Sequence, residues 1–277
     1  MKITRINSVE HIEEMSYPNF IGLINQWNTP PGSYSTINKL AIFSGMNKDS
    51  NLLEVGCSTG FSSRELCMLT DCKGIGIDMS QNSIDMANHN KREYASKTKL
   101  SYKMIDGYNY KPKGLFSHIM VGGNLKFFDN PEKMMSRCIE MVKDGGFILA
   151  TPYYEIKKTP DNVAMEINKI LGIPMSAFDN FTYKKMMVLY NKLEIVFEER
   201  NSLVQETEDE IKHYTQSIIS RVCETRSIND PAIKQAMEQK LIKIRRLINS
   251  TRPYQEYAVL VLRYRKSVYP NRYTALF

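Results

Sequence analysis

The stretch Asn51-Leu52-Leu53-Glu54-Val55-Gly56-Cys57-Ser58-Thr59-Gly60 joins an apolar run and one acid to a small-residue loop with glycines four apart. The run Leu52-Leu53-Glu54-Val55 reads as a buried parallel strand, and Gly56 and Gly60 let the backbone turn sharply and approach a ligand closely. A helix opens next at Phe61-Ser62-Ser63-Arg64-Glu65-Leu66. The loop therefore lies between a strand end and a helix N-terminus, where doubly wound sheets hold nucleotides. A dinucleotide loop would place a third glycine three positions after the second, and this chain has none there. It has instead an acid two residues before Gly56 and a second acid, Asp78, closing the next apolar run, Gly74-Ile75-Gly76-Ile77.

The same alternation continues downstream. A polar-periodic segment over 80–96 precedes the strand-like Leu100-Ser101-Tyr102-Lys103-Met104-Ile105, which ends at Asp106-Gly107. Phe116-Ser117-His118-Ile119-Met120-Val121 follows, then a helical pattern over 131–142, then Gly145-Gly146 turning into Phe147-Ile148-Leu149-Ala150. Strands alternating with helices imply a parallel sheet covered on both faces. Two further apolar runs, Leu193-Glu194-Ile195-Val196-Phe197 and Tyr257-Ala258-Val259-Leu260-Val261-Leu262, supply the last strands. Between them lie helical patterns over 207–224 and 231–249, and another elaboration, with helices over 161–171 and 182–190, follows the fifth strand.

On these residues the segment 51–151 resembles the class I S-adenosylmethionine-dependent methyltransferases, whose first motif is roughly E/D-x-G-x-G-x-G and whose second strand ends in an acid. Ser58 departs from that motif, where glycine is usual. The resemblance implies an α/β fold with a seven-stranded, mostly parallel doubly wound sheet of order 3-2-1-4-5-7-6. It divides the chain into an N-terminal arm (1–48), a Rossmann-like core (49–200 and 255–265) and a helical lid insertion (201–254), all in one domain. It implies S-adenosyl-L-methionine as cofactor and S-adenosyl-L-homocysteine as product. The loop residues Gly56, Cys57, Ser58 and Gly60, through their amides, and Glu54 are expected to hold the amino-acid end. Asp78, with Met79 beside it, is expected at the ribose, Asp106 and Gly107 near the adenine, and Asn124 at the cleft where cofactor and acceptor meet.

The acceptor side is less defined by sequence. Tyr17, Phe20, the sole tryptophan Trp27 and Tyr34 lie in the arm and are expected to line the acceptor pocket or to anchor the arm. His213, Tyr214, Tyr153 and Tyr154 are the candidate bases, should the acceptor need deprotonation. His213 lies off the apolar stripe of its helix, and His118 reads as a core histidine. The [D/N]-P-P-[Y/F] segment of nucleobase-amine methyltransferases is missing after the fourth strand, where Gly122-Gly123-Asn124-Leu125 stands. A small-molecule acceptor, such as a biosynthetic intermediate or modified peptide, is the expected partner. RNA methylation and a non-catalytic protein that keeps the fold are the alternatives.

Composition bounds these readings. With 42% hydrophobic and 24% charged residues the chain reads as an ordinary globular protein, and no apolar run suits a bilayer span or a signal peptide. A cytoplasmic location is the expectation. The five cysteines are odd in number and lack zinc-ligand spacing, so they read as reduced and no metal is expected. The net charge of +7 is concentrated over 225–277, which holds eleven Lys/Arg against three Asp/Glu. Dispersal of these charges around the 231–249 helix reads as a solvated face rather than an RNA groove.

Overall fold

The computed structural model describes residues 8–123, 125, 128–174, 178 and 181–266. Its centre is an eight-stranded sheet of order β3-β2-β1-β4-β5-β8-β6, with β7 on the other edge of β8. The strands are β1 (Asn51–Val55), β2 (Lys73–Asp78), β3 (Leu100–Met104), β4 (Phe116–Gly122), β5 (Val142–Ala150), β6 (Tyr153–Glu155), β7 (Glu194–Ser202) and β8 (Gln255–Arg263). β1 to β5 pair in parallel, while β8 is antiparallel to β5, β6 and β7. The expected order is present, with the last two expected strands as β7 and β8. The extra strand β6 extends the line of β5 and pairs with the start of β8, Tyr153 opposite Tyr257. Its three residues are too few to show a period.

Strand β5 differs in extent from its sequence reading. It starts at Val142, which also ends helix α6, and runs through Gly145 and Gly146 rather than beginning after them. The register against β4 shifts between Phe116 and His118, and Gly145 takes φ 76° within this irregularity. A bulge absorbs the two glycines that alone would signal a turn.

The helices are α1 (Val9–Glu14), α2 (Tyr17–Leu23), α3 (Ser33–Phe43), α4 (Phe61–Thr70), α5 (Gln81–Tyr94), α6 (Pro131–Met141), α7 (Asp161–Leu171), α8 (Tyr183–Val188), α9 (Glu208–Arg226) and α10 (Pro231–Thr251). Alternation in β1 divides the core: Leu53 and Val55 pack with Met134, Met135, Cys138 and Met186 of α6 and α8, whereas Leu52 packs with Leu40, Leu66 and Ala87 of α3, α4 and α5. His118 is buried in β4, held by Ser117 Oγ and the Ser44 carbonyl, and burial brings its pKa down to about 4.

A third core lies outside this sandwich. Ile12 of α1, Phe20 and Leu23 of α2, Ile167 of α7, Ile219 of α9 and Met237 and Leu241 of α10 bury one another. Helix α9 opens with a capping box, Thr207 with Glu210, and α10 with Asp230 before Pro231. The Lys240 ammonium donates to the carbonyls of Ile12, Glu13 and Met15 at 2.7, 3.0 and 2.6 Å, closing the C-terminal end of α1. Arm, α7 and the two inserted helices thus form one helical cap. Ile219→Ala should cost about 2–5 kcal/mol of stability through the cavity it leaves, measured by urea unfolding.

Candidate active site

Between β1 and β4 the strand order reverses direction, and the crevice at their C-terminal ends is the switch point of the sheet. The loop from β1 to α4 turns there with φ of 71° at Gly56, 46° at Ser58 and 79° at Gly60. Ser58 takes the left-handed conformation expected of glycine, so its departure from the motif leaves the turn in place. A side chain at Gly60 would meet the Tyr102 ring at 2.5 Å, and the Tyr102 hydroxyl donates to the Gly60 carbonyl at 2.7 Å.

The loop's amides are used differently from the expectation. Gly56 and Cys57 N–H both donate to the Ile77 carbonyl, at 2.9 and 3.0 Å, and Gly60 N–H donates to the Cys57 carbonyl at 2.8 Å. Ser58 N–H donates to Asp78 Oδ2 at 2.9 Å. These four amides hold the loop in shape rather than facing a ligand, because a loop tied this closely to β2 satisfies its donors internally.

Asp78 is the hinge of the arrangement. Its other oxygen, Oδ1, accepts from Ser80 N–H at 2.8 Å, where α5 begins, so one half-buried carboxylate fixes both the loop and the next helix. Burial moves its pKa upward. Glu54 is buried at 3% exposure, and its Oε2 accepts from Ser63 N–H at 3.0 Å in the first turn of α4. Desolvation lifts its pKa to about 7, the serine hydrogen bonds oppose that shift, and the charge of Asp78 adds to it. Among the described residues neither acid has a cation within 4 Å. The crevice floor is thus electronegative and uncompensated.

Further round the crevice, Asp106 follows β3 and accepts from Tyr108 N–H at 3.0 Å and Asn109 Nδ2 at 2.6 Å. Gly107 is buried where a side chain would meet Val55 and Met134 at 3.1 Å. Met79 stands exposed at the rim. Asn124 lies outside the described residues. The preceding Gly123 faces the Tyr153 ring, with 3.2 Å from a Cβ there to Tyr153 Cε2.

The arm residues separate into distinct roles. Trp27 packs on Phe61 at 5.8 Å, and the fully buried Arg64 guanidinium lies 4.6 Å over its ring. Just before it, the Gln26 carbonyl accepts from Thr59 Oγ1 at 2.8 Å, so this strap lies against the loop. Phe20 is fully buried in the cap core, where it anchors the arm rather than lining a pocket, and Tyr34 is 54% exposed against Phe61. Tyr17 is partly buried, and desolvation raises its pKa to about 12.

The four candidate bases fare poorly as bases. His213 is exposed. Burial pushes Tyr153 up to about 12 and raises Tyr154 and Tyr214 as well, so all three phenols stay protonated at neutral pH. Tyr154 is buried in the sheet core with its hydroxyl donating to Glu256 at 2.7 Å. Tyr153 and Tyr214 remain as hydrogen-bond donors near the crevice and under the cap.

Residues 52–146 match the family model described as a methyltransferase domain. Over those residues the chain carries a methyltransferase domain. A malonyl-[acyl-carrier protein] O-methyltransferase 2 from Ilyobacter polytropus is 27% identical over 127 residues, 44% of this chain and 48% of that protein. The chain spans half or less of the length of the curated relatives it matches. Among solved structures, the MccD protein superposes with a TM-score of 0.69 at 24% identity, covering 86% of this chain and 100% of that one. A methyltransferase from Thiobacillus denitrificans, in complex with S-adenosyl-L-homocysteine, gives 0.66 at 14% identity, covering 91% and 100%. At these identities the structures establish the fold alone.

Several residues of the crevice escape sequence reading. Tyr102 has one signal, since it stands directly opposite Gly76 in the β2–β3 register, where a strand glycine marks a large neighbour. Ser63 and Arg64 sit within a helix pattern and carry none. The electrostatics of Glu54 give a test. Its folded pKa exceeds the unfolded one, so its contribution to stability is present below about pH 4.5 and lost as pH rises towards about 7. His118, shifted the other way, contributes stability at high pH that is lost as pH falls from about 6.5 towards 4. Subtracting Glu54→Gln from wild type removes the His118 part. The variant should gain stability relative to wild type between pH 5 and 7, read from thermal unfolding across that range.

Proposed function

We propose that this chain transfers a methyl group from S-adenosyl-L-methionine to a small-molecule acceptor and releases S-adenosyl-L-homocysteine. The observation that carries the reading is the uncompensated pair Glu54 and Asp78 beneath the glycine loop. A cofactor bearing an ammonium and a sulfonium supplies the missing positive charge. In this reading Asp78 accepts from the ribose hydroxyls with the lone pairs its two backbone donors leave free. Asp106 and Gly107 border the adenine, and Glu54 draws the ammonium towards the loop.

When bound, the cofactor supplies an electrophilic methyl group on sulfur. The protein's part is to place a nucleophile in line with the bond that breaks, which alone accounts for a large rate gain. Tyr153, against Gly123 at the end of β4, is placed to donate a hydrogen bond that orients the acceptor. No proton abstraction is assigned to it, because its phenol is held protonated. In this reading the cap of 201–254 and the described part of the arm, 8–48, form the roof of the acceptor compartment. Among the described residues no helix is long and apolar enough to cross a membrane. RNA is the weaker alternative, because Arg245, Arg246, Arg252 and Arg263 of the basic segment are engaged with Glu206, Glu208 and Glu194.

Calorimetric titration with S-adenosyl-L-homocysteine tests the cofactor assignment. Asp78→Ala should weaken binding at least tenfold, about 1.4 kcal/mol, with the fold retained by circular dichroism. Unchanged affinity removes Asp78 from the ribose. Labelled methyl donor incubated with cell extract tests turnover, the expected label appearing in the small, nuclease-resistant fraction.

A further inference from the structure

Under the cap, three arginines converge from the two inserted helices and the turn that follows them. The Arg245 guanidinium lies 4.1 Å over the Tyr214 ring, and that of Arg221 lies 5.3 Å over the Trp27 ring. Tyr214 is within electrostatic reach of both, Tyr17 of Arg245, and Tyr153 of Arg252 and Arg245. The cluster therefore reaches from the cap to Tyr153 at the mouth of the crevice.

Its charge is incompletely matched. Arg245 and Arg252 share the single carboxylate of Glu206. Glu210 is in reach of Arg252, but its carboxylate is bound to Thr207 in the capping box. Arg221 has no carboxylate within 4 Å among the described residues, and its Nη2 donates to the Asn25 carbonyl at 2.9 Å. Arg221 Nε, Arg245 Nε and Trp27 Nε1 are all buried donors with no acceptor. A buried donor left unpaired is costly, and three in one cluster beside protonated phenols make a surface of donors. A group rich in acceptors and negative charge satisfies it.

We infer that the acceptor is a small oxyanion-bearing molecule, its phosphate or carboxylate group held by Arg221 and Arg245 with Tyr17, Tyr153 and Tyr214 around it. This rests on the methyltransferase reading above and names the substrate class of the same site.

Trp27 is the only tryptophan of the chain, with Arg221 at 5.3 Å and Arg64 at 4.6 Å from its ring, so its fluorescence responds to changes at the cluster and the Arg221 variants separate the two arginines. The full chain, saturated with S-adenosyl-L-homocysteine, is titrated with inorganic phosphate and separately with succinate, ionic strength being held constant with chloride. A saturable change with either anion supports the inference, and the anion that binds tighter identifies the chemistry of the handle. Arg221→Gln and Arg245→Gln should each weaken that anion about tenfold. Arg221→Lys should recover part of the loss, and Lys243→Gln, on the exposed side of α10, should change nothing. Homocysteine-cofactor binding to each variant, followed by calorimetry, shows that the fold and the crevice persist. No saturable response while cofactor binding is intact overturns the oxyanion assignment and leaves the methyltransferase reading standing. Absence of cofactor binding to wild type overturns that reading instead. Equal loss of anion affinity in Lys243→Gln, or displacement of phosphate by a short single-stranded RNA, also overturns the small-molecule site.

Discussion

The two hydrogen bonds accepted by Asp78 hold the crevice together. One fixes Ser58 in a left-handed turn, the other fixes the first residue before α5, and both leave from the C-terminal end of β2. A charged acceptor for backbone N–H groups is a strong interaction, and here it also keeps a carboxylate half-buried at the sheet edge. The same geometry that shapes the loop also holds this carboxylate where the proposed function puts the ribose. Because Glu54 is pinned from below by Ser63, the floor carries two acids whose charges oppose each other. The fold tolerates that strain in one place, where a cationic ligand relieves it.

Cap and sheet are stabilised by different contacts. The sheet buries aliphatic strands between α6 and α8 on one face and α3, α4 and α5 on the other. The cap has its own apolar cluster and a lysine that closes the end of α1. Basic residues that give the C-terminal region its charge serve largely as internal fasteners, Arg246 to Glu208 and Arg263 to Glu194 among them. Net charge alone is a poor guide to partners when so many of the charges close intramolecular pairs.

Sequence reading was strongest where local patterns carry the fold. The strand–loop–helix at 51–66, the acids after β2 and β3, and the ends of α6, α7 and α10 follow from period, glycine and proline. It was weakest where function depends on distance across the fold. That Glu54 meets Ser63 and that Arg221 lies over Trp27 are tertiary facts, joining residues up to 194 positions apart with no local signature. Phe20 shows the same limit in reverse. Its position in an aromatic arm suggests a pocket, and only the packing of α1, α7, α9 and α10 shows it as core.

The strap at Asn25, Gln26 and Trp27 touches three parts at once. Asn25 exchanges amide hydrogen bonds with Asn90 of α5 at 2.9 and 2.8 Å and accepts from Arg221 of α9, while Gln26 accepts from Thr59 of the loop. Cofactor crevice and capped compartment therefore share a party wall a few residues thick. A change in the strap itself is felt by the loop, α5 and α9 at once, whereas a change in a helix behind it breaks only one of the several contacts that hold the strap.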